Sequence, residues 1–175
     1  GVLVNGNFNM YGGTITGCTG VKSGGENAGG VEVTSTGSFH MLGGKITRNS
    51  LEYPSGTVQY VGGVFVASGG TLTLSRGAEI TENRNGDIYL CDGVKISIGE
   101  PLTGSTKSKV NTSVYPDPGD TIELSTRADM DVSEHFGPYY SSCTINARTP
   151  DNVLLLTRKS GWLRVTASST ALKLA

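Results

Sequence analysis

The property that most restricts how this chain can fold is that it repeats itself. Laid against itself, it reads GVLVNGNFNMYGGTITGCT from Gly1, GVEVTSTGSFHMLGGKITRNS from Gly30, GVFVASGGTLTLSRGAEITEN from Gly63 and a degenerate DIYLCDGVKISIGEPLTGS from Asp87. Each copy holds three short apolar segments separated by glycine or polar residues. The first is Val2-x-Val4, Val31-x-Val33, Val64-x-Val66 and Ile88-x-Leu90; the second is Phe8-x-Met10, Phe39-x-Met41, Leu72-x-Leu74 and Val94-x-Ile96. The third centres on Ile15, Ile46, Ile80 and Leu102, each followed by threonine. Alternation with period two in pieces this short, bounded by glycine, predicts strands with one face buried. One such unit cannot bury its apolar side chains alone. Stacked copies can, with Val on Val and Ile on Ile, which is the logic of a solenoid in which every turn pairs with the next. The expected fold is all-β: a right-handed parallel β-helix over residues 1–105, then an irregular strand-rich C-terminal cap, or a continuation of the helix, over residues 106–175.

The cap is expected because the last turn of a solenoid exposes unpaired strand edges and core side chains. Beyond residue 105 the copies fade: KVNTSV, DTIEL, CTINA and NVLLLT are strand-like, but Pro116, Pro118, Pro138 and Pro150 interrupt them. NVLLLTRKSGWLRVTA reads as a hairpin turning at Lys159-Ser160-Gly161. The chain opens at Gly1, within a repeat and without methionine, so it is expected to be part of a larger polypeptide.

Glycine, 26 of 175 residues, is about twice the usual share of roughly 7%, as a fold made of tight corners requires. Fourteen Lys and Arg against fifteen Asp and Glu give no basic excess to attract nucleic acid. No apolar run approaches the ~20 residues of a membrane-spanning helix, so membrane insertion is not expected. Cys18, Cys91 and Cys143 are odd in number and far apart, which defines neither a disulfide framework nor a CxxC metal site. Each reads as a small buried hydrophobe.

The copies are spaced by 29, 33 and 24 residues, and the inequality arises at one corner, after the third strand. There the first copy carries GVKSGGENAG, the second LEYPSGTVQYV and the third only RNG. Insertions at a shared corner stack along one edge, where loops carry binding. Tyr53 and Tyr60 offer flat amphipathic surfaces, and Glu26, Asn27, Glu52 and Gln59 offer hydrogen bonds, a mixture suited to glycan or protein recognition. At the same corner Asn49 and Asn83 are equivalent, Cys18 standing in their place in the first copy. Asparagine bonds neighbouring backbone through its amide, so this pair reads as structural.

Alternation also says which side chains point outward. Beside the first strand's valines runs the column Leu3, Glu32, Phe65, Tyr89, whose adjacent aromatics could stack on sugar rings unless the C-terminal segment covers them. A catalytic β-helix needs carboxylates converging on one groove. The outward positions here read Thr14, Lys45, Glu79 on the third strand and Asn9, His40, Thr73, Lys95 on the second, which pairs no acids, and His40 lacks a partner. No GGxGxD calcium repeat is present, because GGVEV and GGVFV put apolar residues where the acid belongs. Asp129, Asp131 and Glu134 in ADMDVSE are a weak cation candidate without the glycine and ligand count of an EF-hand. Threonine ranks of the ice-binding kind fail because Lys45 and Glu79 follow Thr14. No cofactor is expected.

The pattern GGV-x-V…G-x-F-x-M-x-GG-x-I-x-x-N resembles the right-handed parallel β-helix repeats of large bacterial cell-surface proteins, being similar to those of chlamydial polymorphic outer-membrane proteins and of adhesin-like proteins from gut Firmicutes. The resemblance covers residues 1–105, and GDIYLCDGVKISIGEPLTG resembles the segment that follows such repeats. It implies a secreted or wall-associated bacterial protein. Together with the corner insertions, this gives the expected function: a non-catalytic extracellular adhesion or carbohydrate-binding module at the bacterial cell surface, with a glycan or a host or bacterial surface protein as partner. The alternatives are a small carbohydrate-active β-helix enzyme, of the polysaccharide lyase or hydrolase type, and a passive structural spacer.

Overall fold

A computed structural model describes residues 1–21, 28–52, 61–104, 106–126, 129 and 131–159. The first turn holds β1 (Val2–Val4), β2 (Asn7–Met10), β3 (Thr14–Thr16) and β4 (Thr19–Val21), and the second β5 (Val31–Val33), β6 (Ser38–Thr47) and β7 (Ser50–Glu52). The third holds β8 (Val64–Val66) and β9 (Thr71–Thr81), and the fourth β10 (Ile88–Leu90) and β11 (Ile96–Ile98). Then follow β12 (Ser108–Thr112), β13 (Thr121–Glu123), β14 (Phe136–Pro138), β15 (Cys143–Arg148) and β16 (Val153–Arg158), with one 3-10 turn at Ser133–His135. The rungs pair in parallel: one sheet runs β1-β5-β8-β10-β12-β14 and a second β11-β9-β6-β2, with β3 also on β6. The chain is an all-β parallel solenoid.

Like letters stack as the repeat requires. Val2, Val31, Val64, Ile88 and Val110 fall in one register file, and Phe8, Phe39, Leu72 and Ile96 in another. Phe8 and Phe39 stack with ring centroids 5.2 Å apart. Val31, Phe39, Met41, Ile46, Val64, Leu72 and Ile88 are all fully buried. A second set of contacts runs along the corner. Asn49 Nδ2 donates to Ile15 O at 3.0 Å and to Asn83 Oδ1 at 3.0 Å, and its Oδ1 accepts from the Cys18 amide at 3.0 Å. Asn83 Nδ2 in turn donates to Ile46 O and to Asp87 Oδ1, both at 3.0 Å. Asp87 ends the series, its Oδ1 also accepting from the Asn83 amide at 2.9 Å and its Oδ2 from the Lys109 amide at 2.8 Å. Asn49, Asn83 and Asp87 are buried. Burial pushes the Asp87 carboxyl up from its ordinary range, against the pull of these donors.

Four local details differ from the expectation or add to it. In the second and third copies the second and third strands are not separate, as β2 and β3 of the first are: β6 and β9 run unbroken through the bend, with a register shift between Met41 and Gly43. Gly44 permits this, having φ +94 and so close an approach to the Gly13 carbonyl that a Cβ would sit 2.6 Å from it. In the fourth copy Ile96-x-Ile98 pairs with Leu72-x-Leu74, displacing the Val94-x-Ile96 alignment, so Ser97 and not Lys95 follows Thr73 in the outward file. A turn closed by the Val94 amide on Cys91 O, with Gly93 at φ +76, consumes the two residues. The corner insertions begin as paired strand, β4 on β7, with Gly20 opposite Leu51, and Ala28 bridges Val61 where they end. Finally, NVLLLT pairs with the strand before it, β16 lying between β13 and β15 and antiparallel to both; Ser160, Gly161 and WLRVTA, the other half of the expected hairpin, lie outside the described residues.

The C-terminal part belongs to the same core. Leu124, Val132, Phe136, Leu154 and Leu156 pack in one buried cluster with the rung valines and isoleucines. β12 and β14 extend the first parallel sheet, while Ile96 donates its amide to Leu124 O at 2.9 Å, tying β11 to the antiparallel sheet. Pro138 ends the outermost strand, β14, where a missing donor is tolerated.

Candidate functional site

The outward column of the first sheet has the expected register: Leu3, Glu32, Phe65, Tyr89, then Asn111. Phe65 and Tyr89 stack with centroids 5.4 Å apart and planes 14° from parallel. Neither is an open platform, being 7% and 3% exposed. They form a small second core with Val61, against Ala28, Ala67 and Cys91. Burial raises the pKa of the Tyr89 phenol, with smaller contributions from Cys91 and Tyr140. The sugar-stacking surface expected at Phe65 and Tyr89 is therefore closed.

The column continues into aromatics that the sequence reading missed. Val110 pairs with Pro138, and the next amide, that of Tyr139, donates to Val110 O at 2.9 Å, placing Tyr139 beyond Asn111 on the outward side. Its ring lies over Gly86, where a Cβ would meet Tyr139 Cδ2 at 3.1 Å and Val61 Cγ2 at 3.6 Å. Tyr139 belongs to a second, exposed cluster. Tyr139 meets Tyr140 edge-to-face at 5.0 Å, and Tyr140 meets Tyr115 edge-to-face at 5.1 Å. Tyr140 and Tyr115 are 40% and 37% exposed. The Tyr115 hydroxyl pairs with Ser142 Oγ and accepts a long contact from Cys143 Sγ at 3.4 Å. Desolvation, then the Cys143 thiol, raise the phenol's pKa. Arg158 places its guanidinium carbon 4.9 Å from the centre of the Tyr115 ring, within cation–π range. Two exposed rings at 80° with hydroxyls at hand offer CH-binding faces and hydrogen bonds to one ligand.

The other expected site residues are scattered. Glu52 ends β7, exposed. Tyr53, Gln59, Tyr60, Glu26 and Asn27 lie outside the described residues. Asp129, Asp131 and Glu134 are exposed; Asp131 accepts from the Ser133 amide at 2.8 Å and Glu134 lies 3.8 Å from His135. Among the described residues no three His, Cys, Asp or Glu side chains gather as a metal would need. His40 is exposed and shares a 3.0 Å contact with Ser38 Oγ. Cys18, Cys91 and Cys143 are free thiols, but Cys143 alone is fully buried.

A cleft of about 310 Å³ lies where the fourth turn meets the antiparallel sheet, floored by Val94, Ile122 and Leu124 and rimmed by Asp92, Lys95 and Glu123. Glu123 is held by Lys95 on one side and by Arg148 Nη1 at 2.9 Å on the other, so its carboxyl is kept below the usual range. A carboxylate so neutralised is a poor proton donor near neutral pH. Glu79 sits 2.8 Å from Lys45 of the preceding turn.

No family model, curated protein or solved structure matches the chain.

Proposed function

We propose that the chain is a non-catalytic extracellular binding module of a bacterial surface protein, recognising a glycan, with Tyr115, Tyr139 and Tyr140 as its recognition surface. The observation that carries this reading is the exposed edge-to-face tyrosine cluster, with the ring of Tyr139 set against Gly86. Exposed aromatics held by a half-buried neighbour lose little freedom on binding, which is what a weak, shallow ligand such as a sugar requires. The resemblance of the repeats to those of bacterial surface proteins agrees with this reading and supplies its location.

The test is binding of the purified chain to a panel of bacterial, plant and mucin glycans, with Tyr115→Ala/Tyr140→Ala and Tyr53→Ala/Tyr60→Ala variants alongside. Binding weakened about tenfold or more in the first variant and unchanged in the second supports the cluster. Loss only in the second moves the site to the corner insertions. Sugar reducing ends released from any of these polymers would establish the enzyme reading instead, and no binding at all would leave a protein receptor or a spacer.

A further inference from the structure

Five of the described lysines and arginines pair with carboxylates, and Arg158, which stands on the tyrosine cluster, is among those that do not. Lys45 pairs with Glu79, Arg48 with Glu82, Arg76 with Glu100, Lys95 with Glu123, and Arg148 with Glu123 and Asp151. Arg158 has no carboxylate within ion-pair distance among the described residues. Of its guanidinium nitrogens, Nη1 makes one loose contact, 3.4 Å from Pro116 O, and Nε is out of solvent with no acceptor at all. A buried donor left unsatisfied is rare in folded proteins and calls for a reason.

The position of this cation is fixed. The Arg158 backbone is clamped on both sides, its amide donating to Asp120 O at 3.1 Å and its carbonyl accepting from the Gly119 amide at 3.0 Å. Its guanidinium lies on Tyr115, which is fixed in turn by Tyr140 and Ser142. Lys159, next in sequence, has an exposed ammonium bonded to Ser141 O at 3.0 Å, one residue from the Ser142 that holds the Tyr115 hydroxyl. Asp117 and Asp120 stand exposed in the neighbouring turn, so the rim is not a broad cationic field. The cation is local to the ring cluster.

Resting on the glycan-binding reading above, we propose that the ligand is an acidic glycan whose sugar ring lies on Tyr115 and Tyr140 and whose anionic group, a carboxylate or sulfate, is held by Arg158 with Lys159. A planar guanidinium suits a carboxylate or sulfate on a rigid ring, because it donates two parallel hydrogen bonds in a fixed geometry. Nε is out of solvent, so an anion can meet only the Nη nitrogens; a guanidinium with no carboxylate partner among the described residues favours an acid there by charge complementarity.

The experiment measures affinity of the whole chain for polygalacturonate, for the same polymer with its carboxyls reduced to alcohols, for a sulfated galactan and for polyglutamate. Wild type, Arg158→Gln, Arg158→Lys and Tyr140→Ala are compared after their melting midpoints show each to be folded. The expected result is at least tenfold preference for one acidic glycan over the neutral polymer, that preference abolished in Arg158→Gln and reduced in Arg158→Lys, with Tyr140→Ala weakening all sugars. Whichever of polygalacturonate and the galactan binds identifies the anion. Equal binding of the acidic and neutral polymers overturns the acidic ligand while leaving the binding module intact. A preference untouched by Arg158→Gln overturns the role of that residue, and polyglutamate bound as well as the glycans reduces the effect to unspecific charge. No binding to any polymer overturns both readings. Should Arg158→Gln fail to fold, Arg158→Lys, which keeps the stem and the charge, carries the same comparison through the loss of the planar fork.

Discussion

The regular turns and the C-terminal part share a core but are built on different terms. In the turns the core residues meet their own counterparts one rung away: Ile46 on Ile80, Asn49 on Asn83, Val31 on Val64. In the C-terminal part partners are unlike, as with Leu154 donating its amide to Ser125 Oγ, or Glu123, Arg148 and Asp151 linked with Lys95 of the fourth turn in one ionic chain. Repetition makes each turn a restatement of its neighbour's geometry, so stability is spread along nearest-neighbour interfaces. The closing part has no neighbour to copy. It ends the solenoid with a private set of contacts, and the exposed tyrosines arise there, where the repeat no longer dictates the side chain.

The largest expected break in this comparison is Phe39→Ala, which empties a fully buried position between two turns and is expected to cost about 3–5 kcal/mol in urea unfolding. Hydrogen exchange should show the protection loss centred on the second turn and spreading to both its neighbours. The equivalent change in the closing part, Leu154→Ala, is expected to cost about 2–5 kcal/mol and to release β13, β15 and β16 before the turns. Coincident loss of both regions would show instead that the molecule unfolds as one unit.

Asn83→Ala comes next, expected to cost about 2–4 kcal/mol because it strands the Ile46 carbonyl and the Asn49 amide in the interior. A cost near zero, measured by the same unfolding, would mean that the corner amides are ornamental. Asp87→Asn is expected to cost about 1–3 kcal/mol, since one end of the new amide must point a donor at the Lys109 amide or at Asn83. It should also change the pH profile. The raised carboxyl of Asp87 makes the folded state bind a proton that the unfolded state releases, so stability declines as pH rises from about 4, the unfolded value, to the folded one. Wild type should show that decline and Asp87→Asn should not.

Glu123, Glu100 and Asp151 act with the opposite sign. Their carboxyls are lowered by Lys95, Arg76 and Arg148 respectively, so their contribution is present above about pH 4 and is lost as pH falls through the folded values. Being exposed, these pairs are the smallest effect: Arg148→Gln should shift the unfolding midpoint slightly in low salt and not at all in 1 M salt. A shift that survives the salt would mean that the arginine acts through packing.

The turns were legible in the sequence because alternation and recurrence are local signals, and Val31, Phe39 and Ile46 announce both their facing and their partners. Legibility failed wherever a single residue altered the count. Gly93 and the Cys91–Val94 turn moved the fourth copy's register by two residues. The β4–β7 pair was invisible because Gly20 faces Leu51, and no shared apolar letter marks the match. Phe65 and Tyr89 were placed on the correct side, but side is not exposure: Val61 and Ala28, which help enclose them, come from the flanks of the insertions. For the tyrosine cluster, the adjacent pair in GPYYSS was the available signal. Nothing in the pattern could bring Tyr115 to it, because that meeting depends on the path of the chain between β12 and β14.

The file of amides at the corner has a direction. Each side chain gives a hydrogen to the one after it, Asn49 to Asn83 and Asn83 to Asp87, and an ionised carboxylate has none to hand on. In a lineage that grows by duplicating a rung, a copy bearing asparagine spliced in between Asn49 and Asn83 would find its giver and receiver waiting. Behind Asp87 the same copy would arrive at a terminus. One acidic residue therefore works as a length marker, dividing the part of the molecule that is free to multiply from the part that must remain single.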